Sequence, residues 1–114
     1  MATVRIATFN LENFDETAPD ERPSLEERIA LMRPQIARLR ADIVCFQEVH
    51  GQERTGQPRA LLALRSLLKG THLDGAELVS TMASGSGVLD ERNLVVATHH
   101  RVAAHEQIRN KFVA

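Results

Sequence analysis

The stretch that decides the fold is DIVCFQEVHG, residues 42–51. It is apolar on both faces until Gln47 and Glu48, which is typical of a strand that is covered on both sides of its sheet. The run then turns polar, and a carboxylate at the end of a buried strand is costly unless a partner satisfies it. The stretch therefore predicts a central strand that ends in a polar site.

The N-terminal residues TVRIATF, 3–9, predict a second strand, because they are rich in β-branched residues that nearly alternate with other types. One face of this strand carries Val4, Ile6, Thr8 and Asn10, and the other carries Ala7 and Phe9. A polar loop with two prolines and four acids, DETAPDERP, follows at residues 15–23.

A helix near residues 24–40 should connect these two strands. Ser24 and Glu27 form a capping-box pattern directly after Pro23. Pro34 lies inside the pattern and should kink the helix or locally break its hydrogen bonding. An apolar stripe continues through the proline at helical spacing, and it consists of Leu25, Ile29, Met32, Ile36 and Leu39.

The second half of the chain predicts one more helix and two more strands. RALLALRSLLKG, 59–70, reads as a helix with Pro58 near its start and Gly70 at its end. Residues 76–83 and 92–100 read as strands, and SGSG, 84–87, as a turn. The order β-α-β-α-β-β gives an α/β (α+β) fold class. Two helices cover one sheet face, so we expect more of this chain, or another chain, to cover the other.

Composition limits the possible classes of protein. The 114 residues suggest one domain or part of one, with 43% hydrophobic residues and a net charge of -1. There is no strong basic field for nucleic acid, and with four Phe and no Trp or Tyr a base-stacking platform is not expected. Cys45 stands alone, which excludes an internal disulfide. No apolar run matches a secretory signal or a membrane span, so a cytoplasmic location is the default expectation.

The predicted strand ends suggest a metal site. If the first two strands lie side by side in parallel, Asn10 and Glu48 meet at the carboxyl edge of the sheet, where open α/β sheets place their sites. Carboxylate and amide oxygens suit Mg²⁺ or Mn²⁺, which would satisfy the acid. The alternative is that Glu48 is a solvated strand end and Asn10 a turn-forming residue.

RIATFNLENF, followed by a helix and DIVCFQEVHG, resembles the opening of the endonuclease/exonuclease/phosphatase superfamily, the DNase I-like enzymes. By that resemblance, Asn10 helps to bind the metal or the scissile phosphate, Glu48 binds the catalytic Mg²⁺, and Gln47 is a structural or phosphate-side partner. RNLVVATHHRV, from residue 92, is more loosely similar to a later family strand. There Asn93 matches a substrate-binding asparagine, while Arg92 replaces a glycine.

The resemblance implies the N-terminal half of a DNase I-like four-layer sandwich, a partial β-sandwich with flanking helices. Residues 1–114 would then be the N-terminal portion of one such domain, in truncated form, since no GDFN-like or SDH-like segment occurs. The implied function is Mg²⁺-dependent phosphoester hydrolysis with nuclease activity favoured, Asn10 and Glu48 being catalytic. By the same resemblance the substrate would be a phosphate ester, with nucleic acid among the candidates, and the fragment would lack the family's catalytic His and Asp.

Two other functions stay open. The chain could be a non-catalytic or split half-domain that binds a partner through its uncovered sheet face. It could also be a small α/β domain whose match to the motifs is coincidental, in which case Mg²⁺ or Mn²⁺ changes nothing. The adjacent His99 and His100 should point to opposite faces of a strand and not bind one metal. His50, two positions after Glu48, reads as a loop residue near the predicted site.

Overall fold

The computed structural model of the protein describes residues 3–52, 60–82, 87–89 and 92–107. The predicted order is confirmed, as the described elements follow the order β-α-β-α-β-β. They are β1 (Ile6–Phe14), α1 (Leu25–Leu39), β2 (Ile43–Val49), α2 (Leu62–Leu68), β3 (Glu77–Ser80) and β4 (Asn93–Thr98). Pro58, Arg59, residues 83–86 and the apolar chain end KFVA lie outside the described residues.

The four strands form one mixed sheet in the order β1-β2-β4-β3. β1 and β2 are parallel, and β4 runs antiparallel to both of its neighbours. The parallel pairing of β1 with β2 follows from the intervening helix, because a crossover brings the chain back to start in the same direction. The carboxyl ends of β1 and β2 therefore lie side by side, with the start of β4 next to them.

β1 is longer than predicted and begins later, since it covers Ile6–Phe14 instead of residues 3–9. The sequence did not predict this extension, because NLENF is rich in polar residues. Two residues of NLENF have a left-handed backbone, and pairing with β2 resumes only at Phe14, after an irregularity. The alternation predicted for β1 is present. Phe9 packs against the core, and Ile6 on the opposite face is 63% exposed.

Both ends of α1 lie within one residue of the predicted bounds. Ser24 is its N-cap, and the hydroxyl of Ser24 accepts from the Glu27 N–H at 3.1 Å while the Glu27 carboxylate accepts from the Ser24 N–H at 3.2 Å. Pro34 lies inside a helix that continues through it. Arg40, in the left-handed region with φ 46°, ends the helix.

The remaining elements are shorter than predicted. α2 covers Leu62–Leu68 instead of 59–70, and Gly70 follows it with φ 80°, in agreement with the glycine expected at its end. β3 stops at Ser80 and β4 at Thr98, so His99 and His100 fall in a bend after β4.

The core lies between the helices and one face of the sheet. Both helices contribute to it, with Ile36 from α1 and four buried residues from α2, namely Ala63, Leu64, Leu67 and Leu68. The sheet contributes Val44, Phe46, Val95 and Ala97. In the described part of the chain, no helix combines the length and the apolar character that a membrane crossing requires.

Neither α1 nor α2 covers the opposite face of the sheet, and we call this face, as the described residues leave it, the open face. Apolar side chains on it are Ile6 of β1, Ile43 and Cys45 of β2, Leu94 and Val96 of β4 and Val79 of β3. Leu94 is 57% exposed. The sequence-based expectation that the two helices cover a single face therefore agrees with the structure.

Candidate functional site

The structure brings Asn10 and Glu48 together, as the sequence predicts. The amide nitrogen of Asn10 donates a hydrogen bond of 2.7 Å to Glu48 Oε2. The register explains the contact, because Asn10 pairs with Gln47 in the parallel ladder and Glu48 is the next residue of β2. The two side chains lie at the carboxyl edge of the sheet, where strand ends present polar groups to a ligand.

Irregular strand pairing on both sides of β2 changes the direction of the Glu48 side chain. Between the pairs Asn10–Gln47 and Phe14–Val49, three residues of β1 oppose Glu48 alone. On the other side, Glu48 and Gln47 together oppose one residue of β4. Glu48 itself has φ 59°, a left-handed conformation that is costly for a residue with a Cβ atom. Bulges next to active sites commonly re-aim a side chain, and the strain is consistent with that use here.

The Glu48 carboxylate is half-buried and has no cationic partner among the described residues. Asn10 is its one hydrogen-bond donor in that part of the chain. Since partial burial weakens hydration of the charge, this carboxylate fits a divalent cation as its missing partner. Among the described residues, however, no group of three or more His, Cys, Asp or Glu side chains could hold a metal ion. One carboxylate is still compatible with Mg²⁺, which keeps most of its water ligands.

The orientation of the Asn10 amide limits its role. Its oxygen accepts from the Glu12 N–H at 2.8 Å while its nitrogen faces Glu48. The opposite orientation would place the amide oxygen against a carboxylate, so the assignment is chemically secure. In this arrangement Asn10 orients the Glu48 carboxylate. Metal ligation by Asn10 itself stays a prediction, and the metal would have to bind the second lone pair of the amide oxygen, because the Glu12 N–H uses the first.

Asn93, predicted to contact substrate, is fully buried. Its amide nitrogen donates to the carbonyl oxygens of Val49 at 2.9 Å and Leu89 at 2.8 Å. Its oxygen accepts from the Thr81 hydroxyl and the Leu89 N–H, both at 3.0 Å. All four hydrogen-bonding capacities of the amide are used. Asn93 thus stabilises the backbone next to Glu48, since it binds the carbonyl oxygen of Val49. Its contact with substrate stays a prediction.

A second polar network lies next to the site, and the sequence analysis missed most of it. Asp15 Oδ2 lies 3.2 Å from His50 Nδ1, and Asp15 Oδ1 accepts from the Gln52 amide at 2.7 Å. The Gln52 oxygen accepts from the Ala63 N–H at 3.0 Å. The network therefore joins the ends of β1 and β2 to the start of α2. No sequence signal marks Asp15 or Gln52, because 35 or more residues separate the Asp15 carboxylate from each partner.

The last residues of β1 are held in place by α1. The Arg28 guanidinium donates to the carbonyl oxygens of Leu11 and Glu12, and it lies 5.1 Å from the centre of the Phe14 ring. These contacts fix the irregular part of β1 that follows Asn10. Arg28 therefore supports the framework of the site through its Nη2.

A cleft of about 500 Å³ opens beside the carboxyl edge. Its lining includes Asn13 and His50, and its charged residues are mostly acidic, with four carboxylates and two guanidinium groups, namely those of Glu12, Asp15, Glu16, Glu21, Arg22 and Arg28. A larger depression of about 850 Å³ lies at the other end of β1, near Arg5 and Asp42. We place the candidate site at Asn10 and Glu48, on the carboxyl edge next to the first of these, because the Glu48 carboxylate and the left-handed backbone positions lie at that edge.

Comparisons with known proteins leave the family open. No protein-family model, no curated protein and no solved structure matches this chain.

Proposed function

We propose that this chain carries the metal- and phosphate-binding part of a Mg²⁺-dependent phosphoesterase centre of the endonuclease/exonuclease/phosphatase type, with nuclease activity favoured. The observation that carries the proposal is the 2.7 Å hydrogen bond from Asn10 to a Glu48 carboxylate that has no cationic partner among the described residues. It lies at the carboxyl ends of two parallel strands. The DNase I-like sandwich architecture is part of the same proposal.

Glu48 would hold the Mg²⁺ ion, or Mn²⁺ in its place. When bound, the ion would supply charge stabilisation to a phosphoryl oxygen and to the leaving oxygen. Asn10 holds the carboxylate in one orientation through its N–H, and Asn93 fixes the backbone carbonyl of the next residue, Val49. The acidic lining of the adjacent cleft favours a cation there and makes phosphate binding dependent on it.

Hydrolysis also needs a group that activates water, and the family resemblance puts that histidine outside this sequence. The chain as it stands should therefore bind Mg²⁺ and phosphate esters but turn them over slowly or not at all. Binding is the sharper test, because it does not depend on a group that another segment supplies.

The test is the effect of Mg²⁺ on thermal unfolding. At ten times its Kd, a ligand that binds only the native state stabilises it by about 1.4 kcal/mol, which raises the melting temperature by about 5 °C. Glu48→Gln should abolish this rise. Glu26→Gln, which removes an exposed carboxylate from the first turn of α1, is the matched control and should retain it. Equal Mg²⁺ responses in wild type and Glu48→Gln would refute the proposed metal site.

A non-catalytic, partner-binding half-domain is the second candidate function. The exposed Ile6 and Leu94 on the open face favour it, since clustered apolar side chains on a sheet face are typical of an interaction surface. It predicts a dimer or a complex with another protein in solution. Light scattering that gives the mass of a monomer up to high protein concentration would count against it, and Leu94→Asp should dissociate any dimer that does form.

A further inference from the structure

Arg92 reaches the candidate site from the far side of β2. Its Nε–H donates to Asn13 Oδ1 at 3.2 Å. Arg92 immediately precedes β4 and Asn13 belongs to β1, while β2 lies between these two strands in the sheet. The side chain must therefore cross the carboxyl end of β2. Because Val49 pairs with both Phe14 and Asn93, this crossing passes the end of β2 where Glu48 lies.

The guanidinium of Arg92 is available for an anion. Arg92 is exposed, and among the described residues no carboxylate lies within ion-pair distance of it. Asn13 accepts only from the Nε–H, so with respect to the described residues the two terminal nitrogens keep their N–H groups for a ligand. Arg28, at the same edge, differs in that its Nη2 donates to two backbone carbonyl groups of β1.

The backbone at Arg92 is also unusual. Its φ of 54° lies in the left-handed region, which favours glycine. Arg92 combines this backbone conformation with a side-chain hydrogen bond to Asn13, which is consistent with a functional constraint. The same edge carries left-handed residues at Glu12, Asn13 and Glu48.

We propose that Arg92 binds the non-bridging oxygens of the substrate phosphate, opposite the cation held by Glu48. The inference rests on the proposed function. Its chemistry is that of a planar guanidinium fork, which matches two phosphate oxygens at once. One cationic group on each side of the phosphate would fix its position and offset the acidic lining of the cleft. The ligand class is therefore a phosphate ester that exposes two non-bridging oxygens, as both diesters and monoesters do.

Inorganic phosphate is the probe, titrated with and without Mg²⁺ while the arginine Nε–H resonances are followed by NMR. The Arg92 resonance should shift in both titrations. Arg92→Gln should weaken phosphate binding roughly tenfold, the loss expected for a hydrogen bond to a charged group. Its Mg²⁺ affinity should stay at the wild-type value. Arg38→Gln, which neutralises an arginine in the last turn of α1, is the control and should leave both affinities unchanged.

Arg92→Gly is a second variant that guards against misfolding, because glycine accepts the left-handed backbone. It should unfold at or above the wild-type temperature and still lose phosphate affinity. Equal phosphate affinity in Arg92→Gln, Arg92→Gly and Arg38→Gln overturns the inference even if Mg²⁺ binds as proposed. Failure of wild-type protein to bind Mg²⁺ refutes the proposed function instead, and the Mg²⁺-free titration then still decides whether Arg92 binds phosphate.

Discussion

Asn93→Ala separates a framework role from a ligand-binding role at the most buried polar position of the sheet. The substitution removes four hydrogen bonds, of which the one to the Val49 carbonyl is buried and the other three are partly buried. A buried group left without a partner costs about 1–3 kcal/mol, and a partly buried bond contributes about 0.5 kcal/mol net. The free energy of unfolding should therefore fall by about 3 kcal/mol.

In a domain of this size, a loss of about 3 kcal/mol in the free energy of unfolding lowers the melting temperature by roughly 12 °C. Circular dichroism melting measures this directly. Asn10→Ala is the matched control, because Asn10 is exposed and makes two hydrogen bonds, to Glu48 and from the Glu12 N–H. Asn10→Ala should melt within a few degrees of wild type but weaken the Mg²⁺ response, since Glu48 loses its orienting donor.

The opposite pattern would refute the reasoning. If Asn93→Ala melts like the wild type and instead lowers phosphate affinity, then Asn93 contacts ligand and its four hydrogen bonds contribute little to stability. Measuring both variants below their melting temperatures keeps unfolding from being mistaken for lost binding.

The remaining predictions concern the supports of the fold and of the site. Ser24→Ala removes the reciprocal cap of α1 and should cost about 1 kcal/mol in the free energy of unfolding, measured by urea denaturation. Ile36→Ala should cost about 2–5 kcal/mol, because this fully buried side chain anchors α1 to the core. Gln52→Ala should speed hydrogen exchange at the Ala63 amide, since Gln52 satisfies that N–H at the start of a helix whose N-cap, Leu61, supplies no side-chain cap. Unchanged exchange at Ala63 would show that the Gln52 contact does not hold the helix start.

Several features could be predicted from the sequence because they depend on neighbours along the chain. The reciprocal cap of Ser24 and Glu27, the apolar stripe of α1 and the alternation in β1 are short-range patterns, and each is present. The sequence also predicted that Asn10 and Glu48 are adjacent. One helix between two strands implies a parallel pair whose carboxyl ends lie together. Local patterns determined which elements form and which two strand ends meet.

Tertiary structure alone decided the rest. The bulges on both sides of Glu48 and the extension of β1 to Phe14 arise from pairing between strands, which has no local signature. The same holds for contacts between distant positions, such as Asp15 with His50 and Arg92 with Asn13, the latter 79 residues apart. Sequence periodicity reports which face a side chain occupies, whereas the hydrogen-bond partner at that face depends on the register and order of strands. For that reason the sequence predicted the carboxylate and the amide of the candidate site, and only the folded sheet showed that Arg92 reaches Asn13 at the same edge.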